Sequence, residues 1–229
     1  MVSAFFSDVV GSTALGERLD PEDFTTVVGD AVRRMATVVE ELGGTVVELS
    51  GDGLLALFGA PTAHEDDAER AVHAGLRVVE DMSVYADEVA REHGVEDFSV
   101  RVGIETGLAV LGRQGAGRKV EYTAMGDALN TAARLQAAAP PGSVLVGERT
   151  QRAAESAFEW GNSVDLRLKG KAEDVRAFPV RSARGEAAGA GAAEPVEAPL
   201  VGRERELAAG LEALDAVAGG AGGVLFVTG

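Results

Sequence analysis

The chain has no cysteine among its 229 residues. That excludes disulfides and thiolate metal sites, and it fits a cytosolic protein. Aromatic residues make up only 5%, too few for the stacking platform of a ferredoxin-like nucleic-acid binder. Basic residues are also scarce: 21 Lys and Arg stand against 37 Asp and Glu, for a net charge of −16. A field of that sign repels a phosphate backbone, so no nucleic-acid partner is expected. A polyphosphate ligand would need metal ions or a few well-placed cations. There is no apolar run of the roughly 18 residues that a membrane span requires. The start, "MVSAFFSDVVGST", lacks the basic region of a signal peptide. A cytoplasmic location without membrane contact is the expectation for this stretch.

What is present is an apolar fraction of 46%, enough for a real core. "SAFFSDVV" is a short apolar strand ending in a Gly-Ser-Thr turn. Asp20 followed by Pro21 is a helix start, and Phe24, Val27, Val28, Ala31, Met35, Val38 and Val39 then recur on one helical face up to Gly43-Gly44. "TVVELS" and "GLLALFG" flank Gly51-Asp52 as a tight hairpin, with a type I′ turn the ordinary reading of such a tip. A second long helix is predicted over 64–93. "DFSVRVGIETGLAVLG" is a strand that continues or turns at Gly107, and 125–138 is a third helix stopped by Pro140-Pro141. The order strand–helix–strand–strand–helix–strand predicts an α+β fold with a ferredoxin-like βαββαβ core, an antiparallel sheet with helices packed on it.

Residues 181–199, "RSARGEAAGAGAAEPVEAP", have almost no large apolar side chains and read as a flexible linker after a first domain spanning 1–180. From 200 to 229 a new helical pattern leads to "GGVLFVTG", a buried strand ending in glycine. A phosphate-binding loop begins that way, but its remaining glycine, lysine and Ser/Thr are absent. The segment resembles the truncated start of a P-loop ATPase-like domain, and the chain reads as a piece of a longer protein.

Three stretches carry candidate chemistry. Asp8 ends the first strand, and Asp52 sits at the hairpin tip. In a split βαβ fold these two places lie side by side, and two converging carboxylates suit a hard cation such as Mg²⁺. In "GDALNTAARLQ", Asn130 and Arg134 are four apart and share a helix face. The arginine suits a phosphate oxygen and the asparagine a sugar oxygen. His64, His73 and His93 lack metal-ligand spacing and read as ordinary surface residues.

"FSDVVGST", "ELSGDGLLALFG" and "EYTAMGDALNTAARL", in this order, resemble the class III nucleotide cyclases, the adenylyl and guanylyl cyclases, over residues 3 to about 180. The resemblance implies that Asp8 and Asp52, with the carbonyl of Val9, bind two Mg²⁺ (or Mn²⁺) ions. It implies that Asn130 orients the ribose and that Arg134 stabilises the α-phosphate in the transition state. Lys169, in "LRLKGK", matches the lysine that holds the terminal phosphates, with Lys171 nearby. In the family the active site forms between two chains, so a homodimer with composite active sites is implied and a lone monomer would be inactive. The product would be a 3′,5′-cyclic monophosphate, with pyrophosphate released.

Two positions bear on the base. Glu48, four before Asp52, matches the guanylyl cyclases, whose glutamate accepts from guanine N1–H and the 2-amino group. Adenylyl cyclases carry a lysine there, with the opposite hydrogen-bond polarity. Thr123 fits an adenylyl cyclase, so ATP and GTP both stay open, with a lean towards GTP being accepted. The competing reading is a catalytically degenerate cyclase-homology domain that only dimerises and relays a signal. A diguanylate cyclase would need "GGDEF"-like residues where the hairpin has "SGDG".

Overall fold

The computed structural model describes residues 1–114, 121–167 and 174–184. Strand β1 (Val2–Val9) leads into a short helix α1 (Ser12–Arg18) and a long one, α2 (Pro21–Glu41). The hairpin β2 (Thr45–Leu49) and β3 (Gly53–Phe58) follows, then α3 (Asp67–His93) and β4 (Val100–Gly107). Next come β5 (Val110–Gln114), β6 (Glu121–Met125), α4 (Asp127–Ala138), β7 (Ser143–Gly147) and α5 (Glu148–Ala153). β8 (Phe158–Trp160), β9 (Val164–Leu166) and β10 (Val175–Ala183) close the described part. β10 therefore runs past residue 180, and its last residue, Ala183, is buried. A first compact unit covers Met1–Ala188 and a second Gly189–Gly229. The expected ATPase-like segment falls in the second, outside the described residues.

The main sheet runs β2-β3-β1-β4-β7-β10-β8, with β9 pairing β10. Its first four strands have the split βαβ order expected from the sequence, and all their pairs are antiparallel. Beyond them β4 and β7 pair in parallel, so the sheet is mixed rather than antiparallel throughout. A parallel neighbour needs a crossover, and α4 supplies it. The "GIETGLAVLG" stretch turns after Gly107: β5 leaves the main sheet and pairs with β6 in a separate two-stranded sheet.

Local chemistry sets the helix starts. The Asp20 carboxylate accepts from the amides of Glu22 (2.9 Å) and Asp23 (3.0 Å), and Pro21 opens α2. Val27, Val28, Ala31, Val32, Met35, Val38 and Val39 are all buried along one face of the helix. α3 starts at Asp67 rather than at His64. The Asp67 carboxylate accepts from the His64 amide and from Arg70, which folds residues 64–66 into a turn before the helix. The histidines are more engaged than surface residues: His73 packs on Phe158 with ring centroids 4.6 Å apart, and His93 lies 3.4 Å from Asp23.

The two sheet faces differ. On one, α2 and α3 bury Phe5, Val9, Leu54, Ala56, Phe58, Val102 and Ile104 in the main core. On the other, α4 covers Ala4, Leu55 and Leu57 with Leu129 and Ala132, leaving Phe6 and Val47 partly exposed. Alternate residues of the same strands thus serve opposite faces. α4 lies very close to the sheet because β4 has glycine beneath it. A Cβ on Gly103 would come within 2.1 Å of the Gln136 nitrogen and 2.4 Å of the Ala132 carbonyl oxygen.

Candidate active site

Asp8 and Asp52 come together through the register of β1 and β3. Asp8 pairs with Gly53, and the Val9 amide donates to the Asp52 carbonyl at 2.8 Å. Only glycine fits at 53, since a Cβ there would meet the Ser7 carbonyl oxygen at 2.1 Å. The tip is not the type I′ turn that Gly-Asp suggests. That turn needs positive φ at both central residues, and neither Gly51 nor Asp52 has it. The Ser50 amide donates to the Gly53 carbonyl across Gly51-Asp52 at 2.9 Å, so the connection is tight without being that turn.

Each carboxylate is oriented by a neighbour that the sequence reading missed. The Arg101 guanidinium forks onto Asp8, with Nε 3.0 Å from one oxygen and Nη2 3.3 Å from the other. Its second terminal nitrogen donates to the Ala137 carbonyl at 3.0 Å, tying the end of α4 to the same point. Ser12, the first residue of α1, donates to Asp52 at 2.5 Å. The available signal for Arg101 was a charged residue inside the apolar "SVRVGI" strand. The "GST" stretch is not only a turn: Gly11, at φ 66°, opens α1 and delivers Ser12 to Asp52.

Glu48 reaches this place through an irregularity. Val46 pairs with Ala56 and Glu48 with Leu55, so Val47 is an extra residue in a β-bulge. Without the bulge Glu48 would face Leu54, on the side of the main core. With it, Glu48 shares the α4 side of the sheet with Leu55, Phe6 and Asp8. A cavity of about 170 Å³ opens there, lined by Phe6, Asp8, Glu48, Asp52, Leu55 and Gln136 among others. β6, which carries Thr123 opposite Gly112, runs close to β2. Lys169 lies outside the described residues.

Asn130 and Arg134 do not join this cavity. They share the outward side of α4, Asn130 exposed and Arg134 half-buried, while Leu129, Ala132 and Gln136 face the sheet. Positions two apart along a helix are about 200° apart around its axis, so Gln136 points inward where Arg134 points outward. The structure thus brings Asp8, Asp52 and Glu48 together and leaves Asn130 and Arg134 on the far side of the helix.

Gln136 itself was not singled out from the sequence. It is 8% exposed, and its amide nitrogen has no hydrogen-bond partner among the described residues. An orphaned buried donor of this kind costs about 1–3 kcal/mol. Among the described residues no cluster of three or more His, Asp or Glu side chains could hold a metal. The acidic donors at this end of the cavity are the two aspartates. Two carboxylates are nonetheless what Mg²⁺ ordinarily takes from protein, with water and substrate phosphates completing its shell.

Comparisons with known proteins give the family. A family profile described as the adenylate and guanylate cyclase catalytic domain matches residues 1–181. The chain belongs to the adenylate and guanylate cyclase catalytic-domain family. It is 35% identical to adenylate cyclase 1 of Rhizobium meliloti (strain 1021) over 135 residues, which are 59% of this chain and 20% of that protein. Its fold matches the guanylyl cyclase Cya2 with a TM-score of 0.75 at 29% identity, covering 81% of this chain and 94% of that one. It also matches the adenylyl cyclase CyaB from P. aeruginosa with a TM-score of 0.76 at 27% identity, covering 82% and 96%. The chain spans about a fifth of the length of the first curated relatives it matches, 20% and 22%. No helix among the described residues is long and apolar enough to cross a membrane.

Proposed function

We propose that this chain converts a purine nucleoside triphosphate, ATP or GTP, to its 3′,5′-cyclic monophosphate and pyrophosphate, as a homodimer with composite active sites. The observation that carries the reading is the Asp8–Gly53 pairing, which sets two carboxylates at one end of a cleft that Glu48 also lines. Asp8, Asp52 and the Val9 carbonyl would hold two Mg²⁺ or Mn²⁺ ions, and all three are the hard oxygen donors such ions prefer. Bound there, the ions would supply the positive charge that acidifies the ribose 3′-hydroxyl and neutralises the triphosphate.

The remaining work belongs to the chain. Arg101 and Ser12 fix the orientation of the two carboxylates while leaving each of them further lone pairs. Asn130 orients the ribose, Arg134 meets the charge that grows on the α-phosphate, and Lys169 holds the terminal phosphates. Glu48 and Thr123 contact the base. Asn130 and Arg134 face away from the cleft of their own chain, so a second copy must bring them to it. The apolar side chains of Leu49, Leu108, Val110 and Met125, 59–76% exposed, give that copy a surface to cover.

The test is turnover of ATP and GTP with Mg²⁺ or Mn²⁺, in wild type and in the Asp52→Asn and Arg134→Ala variants. Each variant alone should be inactive. Mixed in equal amounts, they should recover about a quarter of wild-type activity, because half the dimers are mixed and each has one intact site. A wild type that makes no cyclic nucleotide from either purine overturns the reading. A mixture that stays inactive overturns the composite site.

A further inference from the structure

We infer that Ser12 is a specificity-determining residue for the metal: its hydroxyl keeps Asp52 to one oxygen per ion, so the site takes Mg²⁺ or Mn²⁺ and turns Ca²⁺ away. This rests on the metal reading of Asp8 and Asp52 and deepens it. The Ser12 hydroxyl donates to Oδ2 of Asp52 at 2.5 Å, and it is the one hydrogen-bond partner of that carboxylate among the described residues. The main chain of Asp52 is fixed separately. Its carbonyl accepts from the Val9 amide at 2.8 Å, and the next residue, Gly53, pairs with Asp8. What is left to turn is the carboxylate, whose terminal torsion is broad. Ser12 removes that freedom.

The two aspartates are held differently. Arg101 engages both oxygens of Asp8, Nε on one and Nη2 on the other. Asp52 has one oxygen tied and one open. Of the two, Asp52 is therefore the carboxylate free to swing, and turning both its oxygens onto a single ion pulls Oδ2 off the hydroxyl. Mg²⁺ makes no such demand. It binds at about 2.0–2.1 Å in octahedral geometry, through one or two carboxylates with waters and substrate phosphates. Ca²⁺ binds at about 2.3–2.6 Å, gathers about 6–8 oxygens and accepts a carboxylate through both of its own. Breaking a hydrogen bond to a charged acceptor should cost Ca²⁺ about a factor of ten.

The hydroxyl is mounted firmly enough to act in this way. Gly11, at φ 66°, opens α1 and sets Ser12 as its first residue. One turn on, Leu15 is buried in the main core. The last residue of the helix, Arg18, closes on Asp97 at 2.7 Å. Ser12 thus belongs to an anchored helix and not to a free loop.

The test compares Ser12→Ala, which removes the hydroxyl, with Ser12→Thr, which keeps it. Mn²⁺ alone is bound to the protein and followed by the EPR signal of the free ion, with Mg²⁺ and Ca²⁺ titrated as competitors and folding read by thermal melting. In Ser12→Ala the Ca²⁺ concentration that displaces half the Mn²⁺ should fall about tenfold, and that of Mg²⁺ should stay within about twofold. Ser12→Thr should follow wild type in both. In turnover with Mg²⁺, Ca²⁺ should inhibit Ser12→Ala at about a tenth of the concentration that inhibits wild type. Unchanged displacement in Ser12→Ala, with the fold intact, overturns the inference. An equal shift for Mg²⁺ and Ca²⁺ also overturns it, since that is what a direct ligand or a merely structural residue would give. A wild type that binds no Mn²⁺ removes the metal reading and this inference together. A wild type that binds Mn²⁺ but makes no cyclic nucleotide defeats the proposed activity, and the displacement series then decides on Ser12 alone.

Discussion

The two faces of one sheet divide the labour. On the α2/α3 side, Phe5, Phe58, Met35, Ile104 and their neighbours are fully buried, and the rings of Phe5 and Phe58 are 6.2 Å apart. On the α4 side, the next residues along the same strands are Phe6, Asp8 and Leu55, and they border an open cleft. Consecutive residues such as Phe5 and Phe6 are chemically alike yet carry different duties. The period of two means that a single strand can spend half its side chains on stability and half on chemistry.

That division can be broken from either side. The largest effect should come from Asp8→Ala, which removes one carboxylate of the pair. Cyclic-nucleotide formation should fall a thousandfold or more, and the melting temperature should change by a few degrees at most, since Asp8 lies outside the core. Phe5→Ala should do the reverse. Truncating a fully buried Phe costs about 3–5 kcal/mol, visible in denaturant unfolding, while the residual folded protein keeps its KM. If the two substitutions gave the same profile, the faces would not be separable. Next in size is Glu48→Lys, which exchanges an acceptor for a donor. The ratio of kcat/KM for GTP over ATP should fall by about 10–100-fold, and an unchanged ratio would remove Glu48 from base selection.

The smallest effect is electrostatic and lies on the stabilising side. The Asp23 amide, joined by that of Glu22, holds the Asp20 carboxyl below its ordinary value of 3.8 against the opposing effect of desolvation. A depressed folded-state value stabilises the protein above that ordinary value, and the contribution is lost as pH falls through the lowered one. An Asp20→Ala variant should melt slightly below wild type at pH 7 and converge with it under acid. The activity at neutral pH should not follow that change.

Much of this architecture was legible in the sequence because the signals were local. Asp20-Pro21 marked the start of α2, Gly43-Gly44 its end, and the apolar spacing of 24–39 its buried face. The three motifs pointed to the cyclase family directly. What escaped depended on residues meeting across the sheet. The parallel pairing of β4 with β7 has no signature in "SVLVG" itself, and Arg101 is 93 residues from the Asp8 it holds. Helix spacing alone sets Gln136 off the Asn130–Arg134 face, but only the strand register shows that it lines the cavity beside Asp8. The turn type failed for a different reason: Gly-Asp favours positive φ, but the close approach of β1 to Gly53 sets the loop instead.

The extra residue at Val47 has a consequence for comparing sequences. Counting four back from Asp52 gives a distance along the chain, and the bulge is what turns that distance into an address in space. A relative that lost one residue from β2 would keep a glutamate in the strand and put it on the wrong side of the sheet. Substrate choice in such proteins can therefore change by an insertion or a deletion, with every recognised letter still in place.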